Sequence, residues 1–565
     1  MNAPILNLHT PSADDELVFL PLGGSGEIGM NLNAYGYGPA DDRKWLIVDV
    51  GVTFGGSDEP GIDLILPDPV YLAGFAEDIV GIVLTHAHED HIGAVAHLWP
   101  QLKAPLYATP FTAAMLRDKL KEKGLEKAAP ITIIPMKHRF TLGPFDLEMV
   151  TLTHSIPEPN GLAIRTPLGM VLHTGDWKID PDPQIGDATD AEALTRIGDE
   201  GVLAMVCDST NVFVEGVAGS EGDVRVEMTK LIGELRGKVA VACFASNVAR
   251  LESVCVAAAA AGRSVCLVGR SMIRVTGCAK SVGMLQGVNF VSPEQAGFLP
   301  DNSILYLCTG SQGEERAALS RIARGDHPHL TLHSGDTVIF SSRQIPGNER
   351  SIARMQAQLE EQGVQVITDA DRPIHVSGHP CRDELRQMYS WARPQIAIPV
   401  HGERRHILEH VKLARTLQVR EAIAPRNGDL IRLAPGPAEI IDEVPSGRLY
   451  VDGEILVPAD GPAVTERKKL AEEGHITVAL CIDAKGRLVS GPDVRVAGLA
   501  ERNPKDGEAN LDALAEAAEE AFERLKAENR RNEDLVEEAV SRAVRRAADR
   551  IWRKRPFVDC VCLSL

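Results

Sequence analysis

No apolar run in this chain of 565 residues is long enough to cross a bilayer, and no two cysteines stand at the C-x-x-C spacing of a thiolate metal site or redox motif. The ten cysteines are scattered, and the nearest two, Cys560 and Cys562, share one side of any strand and are poorly placed to bridge each other. They read as small core residues in a reducing compartment. The opening MNAPILNLHTPSADDELVF has no basic n-region, apolar h-region or small-residue cleavage site, so nothing in it marks secretion and the expected location is the cytoplasm. Positive charge is also scarce. Lys and Arg number 59 against 79 Asp and Glu, a net charge of −20 that argues against a broad phosphate-binding surface. Any nucleic-acid ligand would have to be gripped locally, by metal ions and a few arginines in a cleft. There is no internal repeat and no low-complexity tract.

The remainder has the composition of an ordinary globular protein, 44% hydrophobic and 24% charged. Its length calls for two or three domains. From Leu17 to Val171 short apolar strands (LVFLPLGG, KWLIVDVGV, IVGIVLTHAH, APLYATP, FDLEMVTLTH, GMVLHTGD) alternate with helical stretches, which predicts a layered α/β domain. A second α/β rhythm over 221–370 has strands VAVACFAS, SVCLVGR, ILYLCTGS and TVIFSS. Each ends in small polar residues, so Ser246, Asn247, Arg270, Ser271, Ser311, Gln312, Ser342 and Arg343 fall at strand C-termini, where α/β sheets bind ligands or simply turn. The chain then returns to HVSGHP and QIAIPVHGE, which makes 221–370 an insertion between two parts of one domain, 1–220 and 371–435. Residues 436–473, rich in Pro, Gly and charge, read as a linker or peripheral segment. The last unit, 474–565, shows a hairpin-like HITVALCIDAKGRLVSG, helical stretches over 511–529 and 533–554, and an apolar strand 557–563. Leu511, Leu514, Ala518, Phe522 and Leu525 share one helix face. The arginines from Arg542 to Arg555 are compatible with RNA contact but read first as a solvated face or a subunit contact.

The sharpest signal is THAHEDH, Thr85 to His91, directly after the apolar strand IVGIVL. One histidine is usually a satisfied polar group; three with an aspartate in six positions are a ligand set. His86 and His88 can point one way because alternate residues of an extended chain share a face, while Asp90 and His91 turn toward a neighbouring point. Further ligands follow other apolar strands: His154 in VTLTHSIPE, Asp176 in VLHTGDWKID and His401 in IAIPVHGE. Asp176 is the natural carboxylate to bridge two cations. Asp49, ending WLIVDVGV, is placed to orient a ligand histidine through its other ring nitrogen. Imidazole and carboxylate ligands without thiolate suit two Zn²⁺ ions, with Mn²⁺ or Mg²⁺ as alternatives.

The order Asp49, THAHEDH, His154, Asp176 resembles the metallo-β-lactamase superfamily. Asp208 in CDSTN, His379 in HVSGHP and His401 in PVHGE, the last two 22 positions apart, narrow the resemblance to its β-CASP nucleases. GGSGEIGMN, FASN, GRSM, TGSQGE and SSRQIPGNE are similar to the ribonuclease J family over nearly the whole chain. The resemblance implies an αββα sandwich with an inserted α/β β-CASP domain and a small α+β C-terminal domain. It implies one metal on His86, His88, His154 and Asp176 and a second on Asp90, His91, Asp176 and His401. It also implies single-stranded RNA as substrate in a channel beneath the insertion, cut both internally and from a 5′-monophosphate end. The pocket for that phosphate would lie near His375 and Ser377, with Ser246, Ser342 and Arg343 close by. Homodimers are the expected assembly and tetramers the alternative.

Phosphodiester hydrolysis needs a nucleophile, charge neutralisation and a proton for the leaving oxygen. The metal cluster answers the first two requirements. His379 is the candidate general acid with Asp208 aligning it, although a phosphate-ligand role for His379 stays open. A DNA-directed β-CASP nuclease, a small-molecule thioesterase or lactonase and a silent scaffold are the competing readings. Recognition of the 2′-hydroxyl separates the first, the inserted domain argues against the second, and the complete ligand set argues against the third.

Overall fold

The computed structural model describes residues 11–56, 58–345, 347–502 and 510–565. The chain forms two compact units, Met1–Thr53 with Ile65–Arg448, and Phe54–Leu64 with Leu449–Leu565.

The larger unit holds two facing sheets. One has eight strands in the order Glu439–Glu443, Asp429–Ala434, Glu16–Gly23, Leu32–Gly38, Lys44–Val48, Ile79–Val83, Leu106–Ala108 and Ile131–Ile133. The other has seven: Arg139–Leu142, Phe145–Thr151, Asn160–Thr166, Gly169–His173, Ala204–Asp208, Ile396–Val400 and Glu421–Ala422. Strand alternation divides the side chains between two cores. Phe145, Leu147, Met149, Ala204 and Val206 meet Phe19, Tyr35, Leu46 and Val48 of the opposite sheet. Their neighbours Val150, Met205 and Cys207 instead pack beneath the helices Ala191–Glu200, Arg382–Ala392 and Arg404–Thr416, through Leu194, Ile197, Leu385, Met388 and Leu413. Helix Pro110–Glu122 packs on two strands of the eight-stranded sheet, so the layers run helix, sheet, sheet, helix.

Between Ala204–Asp208 and Ile396–Val400 the chain builds a third sheet, wholly parallel, in the order Phe290–Val291, Ser264–Val268, Ile304–Cys308, Val239–Ala242, Thr337–Phe340, Gln365–Ile367. Val239 and Val241 enter one core and Ala240 and Ala242 the other. Burial on both faces explains why these strands read as uninterrupted apolar runs. The chain then returns: Ile396–Val400 pairs in parallel with Ala204–Asp208, Val206 opposite Ile398. Strands 192 or so residues apart in sequence thus bring HVSGHP and PVHGE back to the facing sheets.

In the smaller unit Leu488–Ala497, His475–Ile482 and Phe557–Ser564 form a three-stranded sheet, the first pair antiparallel and the second parallel. Ile476, Val478, Leu480 and Ile482 pack on Leu514, Ala518 and Phe522 of helix Asn510–Glu523 and on Val536, Val540 and Val544 of helix Glu533–Trp552. The first helix stops at Glu523, short of the expected 529, and a 3₁₀ turn Asn529–Arg531 follows. Residues 436–473 also differ from a plain linker, carrying strands Glu439–Glu443, Arg448–Asp452 and Ile455–Pro458 and helix Pro462–Glu473. The outer two of those strands have exposed or half-buried residues throughout, and their sequences, EIIDE and ILVP, show no apolar–polar alternation that would mark them as strands. Among the described residues no helix is long and apolar enough to cross a membrane.

Candidate active site

The ligand candidates stand where strands of both sheets end. Asp49 follows Lys44–Val48, Thr85–His91 follows Ile79–Val83, and Asp176, Asp208 and His401 lie at or just beyond the ends of Gly169–His173, Ala204–Asp208 and Ile396–Val400. Those last three strands are parallel, so their C-terminal ends share one edge. The structure brings together His86, His88, His154 and Asp176, and beside them Asp90, His91, Asp176 and His401; within each group the ligand atoms lie within 4.8 Å of one another. His88 Nδ1 is 3.1 Å from His86 Nε2 and 3.0 Å from His154 Nε2. Asp176 Oδ2 sits between the groups, 3.2 Å from His91 Nε2, 3.4 Å from His401 Nε2, 3.8 Å from His154 Nε2 and 4.0 Å from His86 Nε2.

Each ring is oriented from behind. Asp49 Oδ2 holds His91 Nδ1 at 2.7 Å. The same carboxylate accepts the Thr85 amide and hydroxyl, each at 2.8 Å, and Thr85 Oγ1 lies 3.0 Å from His86 Nδ1. His154 Nδ1 donates to the Gly378 carbonyl at 2.5 Å. Asn31 Oδ1 accepts from His401 Nδ1 at 3.1 Å while its Nδ2 donates to the Asp90 carbonyl at 3.0 Å. These partners fix tautomers and turn Nε2 of His86, His91, His154 and His401 inward. Backbone geometry contributes too, since Asp49 (φ 65°) and His401 (φ 52°) occupy the left-handed region that side chains rarely adopt. Gly51 has no such φ but no room: a Cβ there would stand 1.6 Å from the Asp90 carbonyl oxygen of the short helix Glu89–Ile92. At Gly378 a Cβ would come within 2.7 Å of the His154 ring.

The donor chemistry suits divalent cations. His401 Nε2 is buried without a hydrogen-bond partner, 3.6 Å from Asp90 Oδ2 and 3.4 Å from Asp176 Oδ2. A divalent cation held between that nitrogen and the two carboxylates would satisfy all three. Burial, reinforced by the neighbouring histidines, pushes His86 and His154 well below the usual range, and burial lowers His88 to about 4, so these rings are neutral near pH 7, the form in which imidazole can bind a metal. Burial opposes the charge of Asp176, yet His401 and His91 hold its carboxyl well below the usual range.

His379 stands beside this cluster, with Nδ1 2.8 Å from Asp208 Oδ2 and 3.9 Å from Asp176 Oδ2. Burial lowers its basicity, but Asp208, then Asp176 and Asp90, outweigh burial and raise the imidazole to about 9. The Ser246 hydroxyl, in the turn that follows strand Val239–Ala242 of the third sheet, is 3.1 Å from His88 Nε2. Ser377 Oγ accepts from Asn211 Nδ2 at 2.8 Å and from the His379 amide at 3.2 Å. Asn247, expected at the ligand edge, is occupied by the fold: its Oδ1 caps helix Val248–Ala260 at the Arg250 amide and its Nδ2 donates to Glu221. Arg250 was not signalled by any motif. It is buried between Glu221, Ser341 and the Ile374 carbonyl, 3.5 Å from His375 Nδ1. Burial first, and Arg250 next, lower His375 to about 3. Half-buried His375 is also within electrostatic reach of the exposed Arg343.

Asn31, Thr85 and the Gly378 carbonyl likewise escape a reading by spacing, because amides, hydroxyls and backbone carry no ligand signature. Asn31→Ala is expected to weaken metal retention about 10- to 100-fold, the usual cost of losing an outer partner of a ligand histidine. Metal content after dialysis against a graded chelator checks this; retention equal to the parent would refute the role.

Four family models match the chain: "Ribonuclease J, beta-CASP domain" over 236–359, "Ribonuclease J C-terminal domain" over 462–565, "Beta-lactamase superfamily domain" over 45–195 and "Zn-dependent metallo-hydrolase RNA specificity domain" over 363–425. A ribonuclease J of Sinorhizobium meliloti is 47% identical over 97% of this chain and 98% of its own. One from Corynebacterium glutamicum is 37% identical over 95% of this chain and 74% of its own, and one from Thermus thermophilus 35% over 90% and 88%. A crystal structure of a protein of unknown function from Enterococcus faecalis V583 aligns at TM-score 0.51 and 15% identity, covering 74% of this chain and 100% of that one, which speaks to the fold alone. A metallo-β-lactamase domain with an inserted β-CASP domain and this C-terminal domain, matched by relatives along almost the full length, means that the chain belongs to the ribonuclease J family.

Proposed function

We propose that this metal-dependent ribonuclease binds two Zn²⁺ ions, with Mn²⁺ or Mg²⁺ as alternatives, on His86, His88, His154 and Asp176 and on Asp90, His91, Asp176 and His401. Bound there, the ions would supply a nucleophilic oxygen near neutral pH and offset charge at phosphorus. The chain's own groups position and protonate. His379 donates Nδ1–H to Asp208 and keeps Nε2 for the proton that the leaving oxygen requires. Ser246 holds the edge of the insertion against the metal loop at His88. The division supporting this arrangement is residues 1–220 and 371–435 for the catalytic domain, 221–370 for the insertion and 474–565 for the C-terminal domain. We assign a homodimer, with a tetramer as the alternative, acting in the cytoplasm.

The substrate is single-stranded RNA, degraded 5′ to 3′ from a monophosphate end and also cut internally. The observation that carries the 5′-end reading is Arg343, exposed and without an ion pair among the described residues, within electrostatic reach of His375 in the 375–379 loop that also bears His379. A cation, the His375 ring and the hydroxyls of Ser342 and Ser377 suit one small anion. RNA with a 5′ monophosphate should be degraded faster than the same RNA with a 5′ triphosphate or hydroxyl, and faster than the corresponding DNA. Arg343→Ala should remove most of the preference between ends and spare internal cleavage. It is a cleaner probe than Ser377→Ala, because the Ser377 hydroxyl also holds Asn211 and the His379 main chain. Equal exonucleolytic rates on all three ends in the parent enzyme would overturn the pocket.

A further inference from the structure

The smaller unit carries a concentration of positive charge that hydrolysis at the metal cluster does not use. A cavity of about 740 Å³ is lined by Lys469 of helix Pro462–Glu473, by Arg545, Arg546 and Arg550 of helix Glu533–Trp552, and by Arg555 and Phe557. Asp549 is the one carboxylate in the lining with these five cations, and Glu473 accepts from the Arg555 amide at 2.5 Å. Arg546 and Arg550 are exposed and form no ion pair or side-chain hydrogen bond among the described residues. Lys469 Nζ lies over the Phe557 ring, 4.4 Å from its centroid, so an aromatic face rather than a carboxylate keeps it at the rim.

Placing cations late in a helix is favourable for the helix itself, but that effect fades beyond the last turn and does not account for Arg545 and Arg546. Along Glu533–Trp552 charge is sorted: Glu533, Asp534, Glu537 and Glu538 come first and the arginines after. Elsewhere exposed arginines of this helix and its neighbour are neutralised locally, as Arg542 is by Glu538 and Arg524 by Glu520. Five cations lining one cavity, with Asp549 among them and Glu473 at Arg555, still carry an excess of positive charge that an anion would offset. In a chain of net charge −20 this is a local reversal of sign, and the polyanion that a ribonuclease must meet is its own substrate.

We propose that this cavity is a second RNA-binding site, taking the phosphate backbone of single-stranded RNA beyond the segment held at the catalytic cluster. Several arginines without base-reading amides nearby make it a backbone site, indifferent to sequence. Long RNA would be retained between cleavage events, whereas an oligonucleotide too short to reach both sites would gain nothing. The inference rests on RNA being the substrate, which hydrolysis of a short RNA by the parent enzyme tests separately.

The test is the full-length Arg546→Glu/Arg550→Glu variant, assayed on a 5′-monophosphorylated tetranucleotide and on an unstructured RNA of several tens of nucleotides. KM for the long RNA should rise about tenfold with kcat kept, and the log–log salt dependence of its binding should flatten by about 1.4, two single-strand phosphate contacts. KM and kcat for the tetranucleotide should not move, and Arg546→Lys/Arg550→Lys should restore the long-RNA KM. Unchanged KM and salt dependence on long RNA would overturn the proposal. So would an equal loss on both substrates. A shift in mass by light scattering with long-RNA KM unaltered would also overturn it, assigning the arginines to an acidic face of another copy of the chain.

Discussion

Asp176→Ala should abolish hydrolysis and strip the enzyme of metal while leaving the two units folded. Its Oδ2 lies within 4.0 Å of a ring nitrogen on each of five histidines, His86, His91, His154, His379 and His401. The two four-residue groups, His86, His88, His154 with Asp176 and Asp90, His91, His401 with Asp176, both include this carboxylate, so neither is complete without it. The loss should exceed the roughly 100-fold that an outer partner commands. His86→Ala should behave alike, since His86 is fully buried and held from behind by Thr85. Metal content, activity and thermal unfolding measured on the same preparations decide the matter. Parent turnover with one metal or none per chain would refute the two-metal arrangement.

The second large effect is at His379. His379→Ala should slow the chemical step about 100-fold or more, the range of general acid catalysis, with both metals retained. A substrate whose leaving oxygen needs no proton should rescue the variant, and equal losses on both substrates would refute proton donation. The acid acts while protonated, so the rate falls as pH rises through its pKa. Asp208 is the largest influence raising that pKa against burial. Asp208→Asn should therefore move the alkaline limb of the kcat profile to lower pH, a displacement that a purely structural Asp208 would not produce.

Much of this site is legible along the chain because its chemistry is local. His86 and His88 leave the strand Ile79–Val83 in extended chain, and Asp90 and His91 sit in the short helix Glu89–Ile92 that follows, so their spacing already aims them at two neighbouring points. His154, Asp176 and His401 are each recognisable at an apolar strand's end, and the parallel strands Gly169–His173, Ala204–Asp208 and Ile396–Val400 bring the last two to a common edge. Asn247 looked like a ligand residue for the same reason, being small, polar and at a strand's end. Whether such a side chain faces a cavity or caps the next helix depends on its rotamer and neighbours, and here the helix and Glu221 take both ends of the amide.

By itself, then, the sequence determined the residues able to hold metal, the two-part catalytic domain around an insertion and the alternating strands, since each depends on side-chain chemistry and on periodicity within short segments. Only the tertiary structure decided that Asn31, a position marked by no ligand motif, joins His401 across 370 positions of chain to the Asp90 carbonyl of the helix Glu89–Ile92. The same holds for Arg250 buried against Glu221 beside His375, and for arginines of one helix gathered with Lys469 of another around a cavity. Those are contacts between residues far apart in sequence. Their energies come from burial and from distances of a few ångströms, which are set when the layers pack.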